Sequence, residues 1–185
     1  LALMALLAAT APAREAKLVR YPAYHGGRVA FTYLADIWTA DENGRNVVRL
    51  TAHPARDAWP RFSPDGRWIA FSSDRKGNLD VYVMPAAGGQ PRQLTFHSAD
   101  DNVLGWTPDG KAVLFSSMRG DDFLARLWLV DAETGAERPA GTDYGLAGSF
   151  SPDGKRIAYN QRGQAYWRKY YRGSYQTDVF VLDLE

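Results

Sequence analysis

Ser63-Pro64-Asp65-Gly66-Arg67-Trp68-Ile69-Ala70-Phe71 reads as a tight turn running into an apolar stretch, and the chain repeats the pattern twice more. It returns as Thr107-Pro108-Asp109-Gly110-Lys111-Ala112-Val113-Leu114-Phe115 and as Ser151-Pro152-Asp153-Gly154-Lys155-Arg156-Ile157-Ala158-Tyr159, each copy 44 residues after the last. Proline presets φ, aspartate bonds to its own backbone, and glycine accepts positive φ, so each copy predicts a turn into a strand. An earlier unit has a shorter turn, with Val29 and Phe31 matching Ile69 and Phe71. Asp36-Ile37-Trp38 precedes Asp80-Val81-Tyr82 by 44 residues, and Arg49-Leu50-Thr51 precedes Gln93-Leu94-Thr95 by the same interval. Separate positions sharing one period of this length indicate blades of four strands.

The second unit predicts strands over residues 58–62, 67–73, 80–84 and 91–95, separated by turns at Pro64-Asp65-Gly66, Gly77-Asn78 and Gly88-Gly89. Pro91 suits an outer strand, where a missing N–H costs no ladder bond. Trp68-Ile69-Ala70-Phe71 runs without polar alternation, as in a sheet covered on both faces. Stacked propeller blades provide such cover. The third strands repeat an aromatic, as Trp38, Tyr82, Trp128 and Phe180, which reads as packing between blades. Units begin near residues 18, 58, 101 and 145, and the last stops in its third strand. The expectation is an all-β fold, a β-propeller of four-stranded antiparallel blades. About four blades are present in residues 14–185, with the ring incomplete and the chain truncated within a blade.

Composition sets the limits on function. The 185 residues are 45% hydrophobic and 13% aromatic, and 22 Lys and Arg against 21 Asp and Glu leave a net charge of +1. That balance supplies no basic field for nucleic acid. With no cysteine, disulfides, thiolate metal sites and cysteine nucleophiles are excluded. Leu1 to Ala13 is apolar and uncharged and ends Ala11-Pro12-Ala13. It reads as part of a signal peptide over residues 1–13, cleaved after Ala13, and is too short to span a bilayer. A periplasmic or secreted protein is expected, with a cytoplasmic one as the alternative if the leader is not a signal.

Catalytic machinery is not legible in these residues. No G-x-S-x-G elbow occurs. His53 and His97 are one repeat position seen twice and read as linker residues, and Asp65, Asp109 and Asp153 read as turn residues. Asp100-Asp101 and Asp121-Asp122 lack the loop-wide oxygen pattern of a calcium site. No catalytic residue, metal or cofactor is assigned. The exception to the repeat is Gln161 to Thr177, 17 residues where the second unit has six. Within it Trp167, Arg168, Lys169, Tyr170 and Arg172 interleave charge and aromatics. They suit a hairpin against another domain, or an arginine clamp on a peptide carboxylate.

These motifs resemble known families. The turn, the strand after it, Asp80-Val81-Tyr82-Val83-Met84 and Arg92-Gln93-Leu94-Thr95 are similar to TolB-type propeller repeats. More specific stretches resemble the N-terminal propeller of tricorn protease and its bacterial homologues: Arg20-Tyr21-Pro22 with His25-Gly26, Leu104 to Gly110, Gly148 to Asn160, and Trp167 to Gly173. The resemblance implies a six-bladed first propeller, followed by a second propeller, a PDZ-like domain and a serine peptidase core. It further implies that the propeller gates peptide access in an exported serine peptidase, with catalytic groups downstream. The partners so implied are peptides and the downstream peptidase domains of the same chain, with a homo-oligomer left open. Two alternatives remain at this point: a non-enzymatic TolB-like periplasmic interaction propeller, and the propeller of a prolyl-oligopeptidase-type hydrolase.

Overall fold

The computed structural model of the chain describes residues 18–120, 124–161 and 177–184. Within them the fold is built from strands alone. The first blade comprises β1 (Arg20–His25), β2 (Arg28–Tyr33), β3 (Asp36–Asp41) and β4 (Val48–Arg49). The second comprises β5 (Asp57–Phe62), β6 (Trp68–Ser73), β7 (Asp80–Pro85) and β8 (Arg92–Gln93). The third comprises β9 (Asp101–Trp106), β10 (Ala112–Ser117), β11 (Arg126–Asp131) and β12 (Glu137–Pro139). The fourth holds β13 (Ala147–Phe150), β14 (Arg156–Asn160) and β15 (Val179–Asp183). Every neighbouring pair is antiparallel, and each sheet follows chain order. First strands of successive blades touch one another, β1 with β5, β5 with β9 and β9 with β13. They form the inner wall of an unclosed ring, and β4, β8 and β12 lie at its outside.

The repeated turns behave as their residues require. Ser63 Oγ donates to Asp65 Oδ1 at 2.6 Å and accepts from the Trp68 N–H at 3.0 Å. The same arrangement recurs at Thr107 with Asp109 and at Ser151 with Asp153. Gly66, Gly110 and Gly154 sit at φ near 70°, where a Cβ would be strained. Hydroxyls first, and the N–H of the residue two positions on, hold Asp65, Asp109 and Asp153 below the usual carboxylate range. Ionised carboxylates occupied in this way are turn elements and have no proton to donate.

The core lies between blades. Alternate residues of β6 and β7 face opposite neighbours. Ile69, Phe71, Tyr82 and Met84 pack with Ala30 and Ile37 of the first blade. Ala70, Val81 and Val83 pack with Val103, Val113, Phe115 and Val130 of the third. The third blade repeats this, turning Leu114, Leu127 and Leu129 towards Ile157 of the fourth sheet. On the fourth sheet the far face stays bare, with Val179 77% and Val181 63% exposed.

The outer strand of the second blade is shorter than the repeat predicts. Instead of residues 91–95, the ladder spans only Arg92–Gln93. The chain leaves it so that Leu94 enters the core and the Thr95 hydroxyl accepts the Val81 N–H at 2.9 Å. The third-strand aromatics sit opposite second-strand partners, Phe31 with Trp38, Phe71 with Tyr82, Phe115 with Trp128 and Tyr159 with Phe180. Tyr82 and Trp128 join the cores between blades, as expected. Truncating Phe115, fully buried between the second and third blades, removes a large wedge from that core. Phe115→Ala is therefore expected to cost about 3–5 kcal/mol, read from the shift in urea midpoint.

Candidate functional site

Two regions depart from plain packing. One is the end of the blades where second strands stop and third strands start. The other is the inner wall.

At the first, an arginine two residues past the second strand reaches back to an aspartate that opens the first strand. Arg75 holds the fully buried Asp57 through two nitrogens, the shorter contact 2.7 Å, and Arg119 holds the fully buried Asp101 in the same way at 2.5 Å. Both guanidiniums also lie over the paired aromatics of their own blade. Arg75 is 5.7 Å from the Phe71 ring centre and 5.5 Å from Tyr82, and Arg119 is 5.0 Å from Phe115 and 5.3 Å from Trp128. Arg119 additionally pairs with Glu137. The backbone N–H groups of Asp57 and Asp101 bond to Ala35 and Leu79 of the preceding blade at 2.7 Å. Each aspartate thus joins two blades, and removing one partner of such a pair strands a buried charge at about 3–5 kcal/mol.

A second repeated clasp flanks these pairs. Asp36 accepts from Arg49 at 2.6 Å and faces the Thr51 hydroxyl. Asp80 stands in the same relation to Gln93, at 2.9 Å, and to the Thr95 hydroxyl. Glutamine replaces arginine, so the buried Asp80 has no counter-charge of its own and lies near Asp101. Burial first, then the Asp101 charge, pushes Asp80 up to about 6, with Thr95, Gln93 and Arg119 opposing. His53 and His97 keep to the linkers, where each Nδ1 accepts the N–H two residues on at 3.0 Å.

On the inner wall, β1 and β5 each carry a bulge, between Arg20 and Ala23 and between Ala58 and Arg61. Within them Tyr21 and Trp59 take φ of 54° and 53°, and each precedes a proline. Bulky residues are rare there, and such strain costs about 1–3 kcal/mol a residue. Their rings meet at 5.0 Å, and the Arg56 guanidinium lies 5.2 Å from the Trp59 ring centre. Arg61 donates to the Leu104 carbonyl at 2.8 Å and the Pro60 carbonyl at 2.9 Å. Burial lowers its pKa from the usual arginine value.

Trp167, Arg168, Lys169, Tyr170 and Arg172 lie outside the described residues, as do the leader at 1–13 and Asp121-Asp122. The segment carrying the five leaves the ring after Asn160, which pairs with Val179. That places its two roots at the same end as the Asp–Arg pairs. Sequence reasoning missed Asp57, Asp101, Arg75 and Arg119, although both pairs obey the 44-residue period.

Asp80 yields a pH prediction. Its folded pKa of about 6 exceeds the ordinary 3.8, so between those values the folded state holds more proton than the unfolded. Its contribution is therefore greatest below about 4 and is lost as pH rises through about 6. Gln93→Arg, which copies the first blade, is expected to flatten this loss. The check is the urea midpoint of both proteins from pH 5 to 7.

Comparison with known proteins places this geometry. The chain is 35% identical over 166 residues to Tricorn protease homolog 1 of Streptomyces coelicolor, covering 89% of this chain and 16% of that protein. The crystal structure of the tricorn protease superposes with a TM-score of 0.73 at 23% identity, over 89% of this chain and 17% of that one. TolB from Agrobacterium tumefaciens gives 0.73 at 22% identity, over 90% of this chain and 58% of that one. The chain thus spans about a sixth of its tricorn relatives. Residues 16–185 match the family described as the tricorn protease N-terminal beta propeller domain, and to that family the chain belongs.

Proposed function

We propose that this propeller gates the access of unfolded peptides to the core of a tricorn-like serine peptidase, and contributes no catalytic group itself. The family match over residues 16–185 carries the reading. The inner wall fits it physically, because it carries the half-buried ring pair of Tyr21 and Trp59 with the exposed Arg56 beside it. The bare far face of the fourth sheet suits a further blade completing the ring. The segment 161–177 would act where it leaves the ring, with Trp167, Arg168, Lys169, Tyr170 and Arg172 contacting peptide or the neighbouring peptidase domains. Assembly of several copies is part of the same reading.

Peptide hydrolysis by this chain and by the full-length product of its reading frame tests the proposal. Activity in the full-length protein alone, abolished by a serine-directed inhibitor, is the expected result. Activity in neither favours a TolB-like interaction propeller, and activity in the isolated chain means that the inner wall does chemistry.

Export belongs to the proposal as well, through the apolar leader and its Ala11-Pro12-Ala13 end. N-terminal sequencing of the protein recovered from cells is expected to begin at Arg14. An intact leader on cytoplasmic protein would sink this part.

A further inference from the structure

The strained residues of the inner wall are not explained by the bulges they sit in. The third blade also bulges, opposite Leu114 and Phe115, yet Val103, Leu104 and Gly105 there keep ordinary φ. A bulge in this strand therefore does not demand a left-handed residue. At Tyr21 and Trp59 the left-handed conformation accompanies a different result, two rings from successive blades brought together at 5.0 Å and tilted by 41°. Neither residue is buried, so the ring pair is a shelf at the surface of the wall and not a core contact.

One cation lies at the shelf, Arg56, while Arg61 reaches to the Leu104 carbonyl of the third blade. Among the described residues, neither Arg56 nor Arg61 forms a salt bridge, whereas Arg75 and Arg119 in the same two blades do. Arg61 spends its nitrogens on carbonyl oxygens. The guanidinium of Arg56 rests over Trp59, and Asp74 takes its backbone N–H instead. An aromatic shelf with the Arg56 guanidinium over it complements a ligand that presents an apolar group next to an anion.

We propose that Tyr21, Trp59 and Arg56 form a subsite for an internal segment of an unfolded polypeptide in which an aromatic or large apolar side chain neighbours an acidic one. The rings take the apolar side chain and the Arg56 guanidinium takes the carboxylate. Held in extended form on an open wall, such a segment is retained weakly and released readily, which suits a passage. The ligand class rests on the gating reading, and the residues and geometry do not.

The test is binding of a fluorescein-labelled peptide containing Phe-Glu among alanines and glycines, acetylated and amidated so that no terminus is charged. Fluorescence anisotropy is read against the Phe-Lys and Ala-Glu versions. Both controls are expected to bind about tenfold more weakly than Phe-Glu. Trp59→Leu and Arg56→Gln should each weaken Phe-Glu binding by a similar factor, with cooperative urea unfolding retained. Arg56 is exposed, so Arg56→Gln keeps the test valid if Trp59→Leu fails to fold. Undetectable binding overturns the subsite, as does equal affinity for Phe-Glu and Phe-Lys, or affinity unchanged in the variants. Loss of peptidase activity in the full-length protein with this binding intact would overturn the gating reading alone, and the reverse would overturn only the subsite.

Discussion

A four-stranded sheet that is apolar on both faces cannot stand alone in water, and that constraint governs this chain. The middle strands of the second blade present Ile69, Phe71, Tyr82 and Met84 to one neighbour and Ala70, Val81 and Val83 to the other. Fully burying one such side chain contributes about 1.5–3 kcal/mol. Each blade is therefore completed by its neighbours, and the ring follows from repetition. The exposed valines of the fourth sheet show the same rule from the opposite side. Apolar packing is not directional, however, and does not by itself fix how one blade meets the next. That role falls to the buried aspartates at the blade ends, each bonded through its backbone to the preceding blade and through its carboxylate to its own arginine.

The electrostatics of these aspartates depend on the aromatics beneath them. Buried ion pairs are costly, and satisfaction by several partners offsets the desolvation. Arg119 is satisfied by Asp101, Glu137, the Ser117 hydroxyl and two ring faces. Asp80, one step away, has only neutral partners of its own and stands near Asp101, which is why its carboxyl keeps its proton to higher pH. Between repeats, Arg49 against Gln93 replaces a salt bridge with a neutral hydrogen bond.

What the sequence disclosed followed from local chemistry repeated at a fixed interval. The turns at Ser63, Thr107 and Ser151 are self-contained, so their hydrogen bonds could be anticipated from four residues. The two-faced burial of Ile69 to Phe71 was legible from the missing alternation. The Asp–Arg pairs were harder. Their members lie 18 residues apart in the chain, and only the fold shows that a first-strand start and a second-strand end share one rim. The left-handed φ of Tyr21 and Trp59 was not legible at all. Tyr-Pro and Trp-Pro can occupy ordinary strands, and only contact between neighbouring blades brings those rings together.

Repeats also show where a chain departs from its own pattern. At the turn end the second, third and fourth blades hold to one design, hydroxyl, aspartate and glycine, while the first turns at Gly26-Gly27. At the other end and on the inner wall they diverge. Arginine becomes glutamine at residue 93. The aspartate of residues 57 and 101 becomes Gly145, where a side chain would run into Leu127. The aromatic–proline bulge of the first two blades gives way to Val103 in the third. The segment 161–177 is rooted at this same divergent end. Even the stacking positions differ, Ala70 of the second blade standing where the third has Leu114, so each interface meets its own packing demand. The departure that such packing does not ask for is the left-handed aromatic pair on the inner wall, Tyr21 and Trp59.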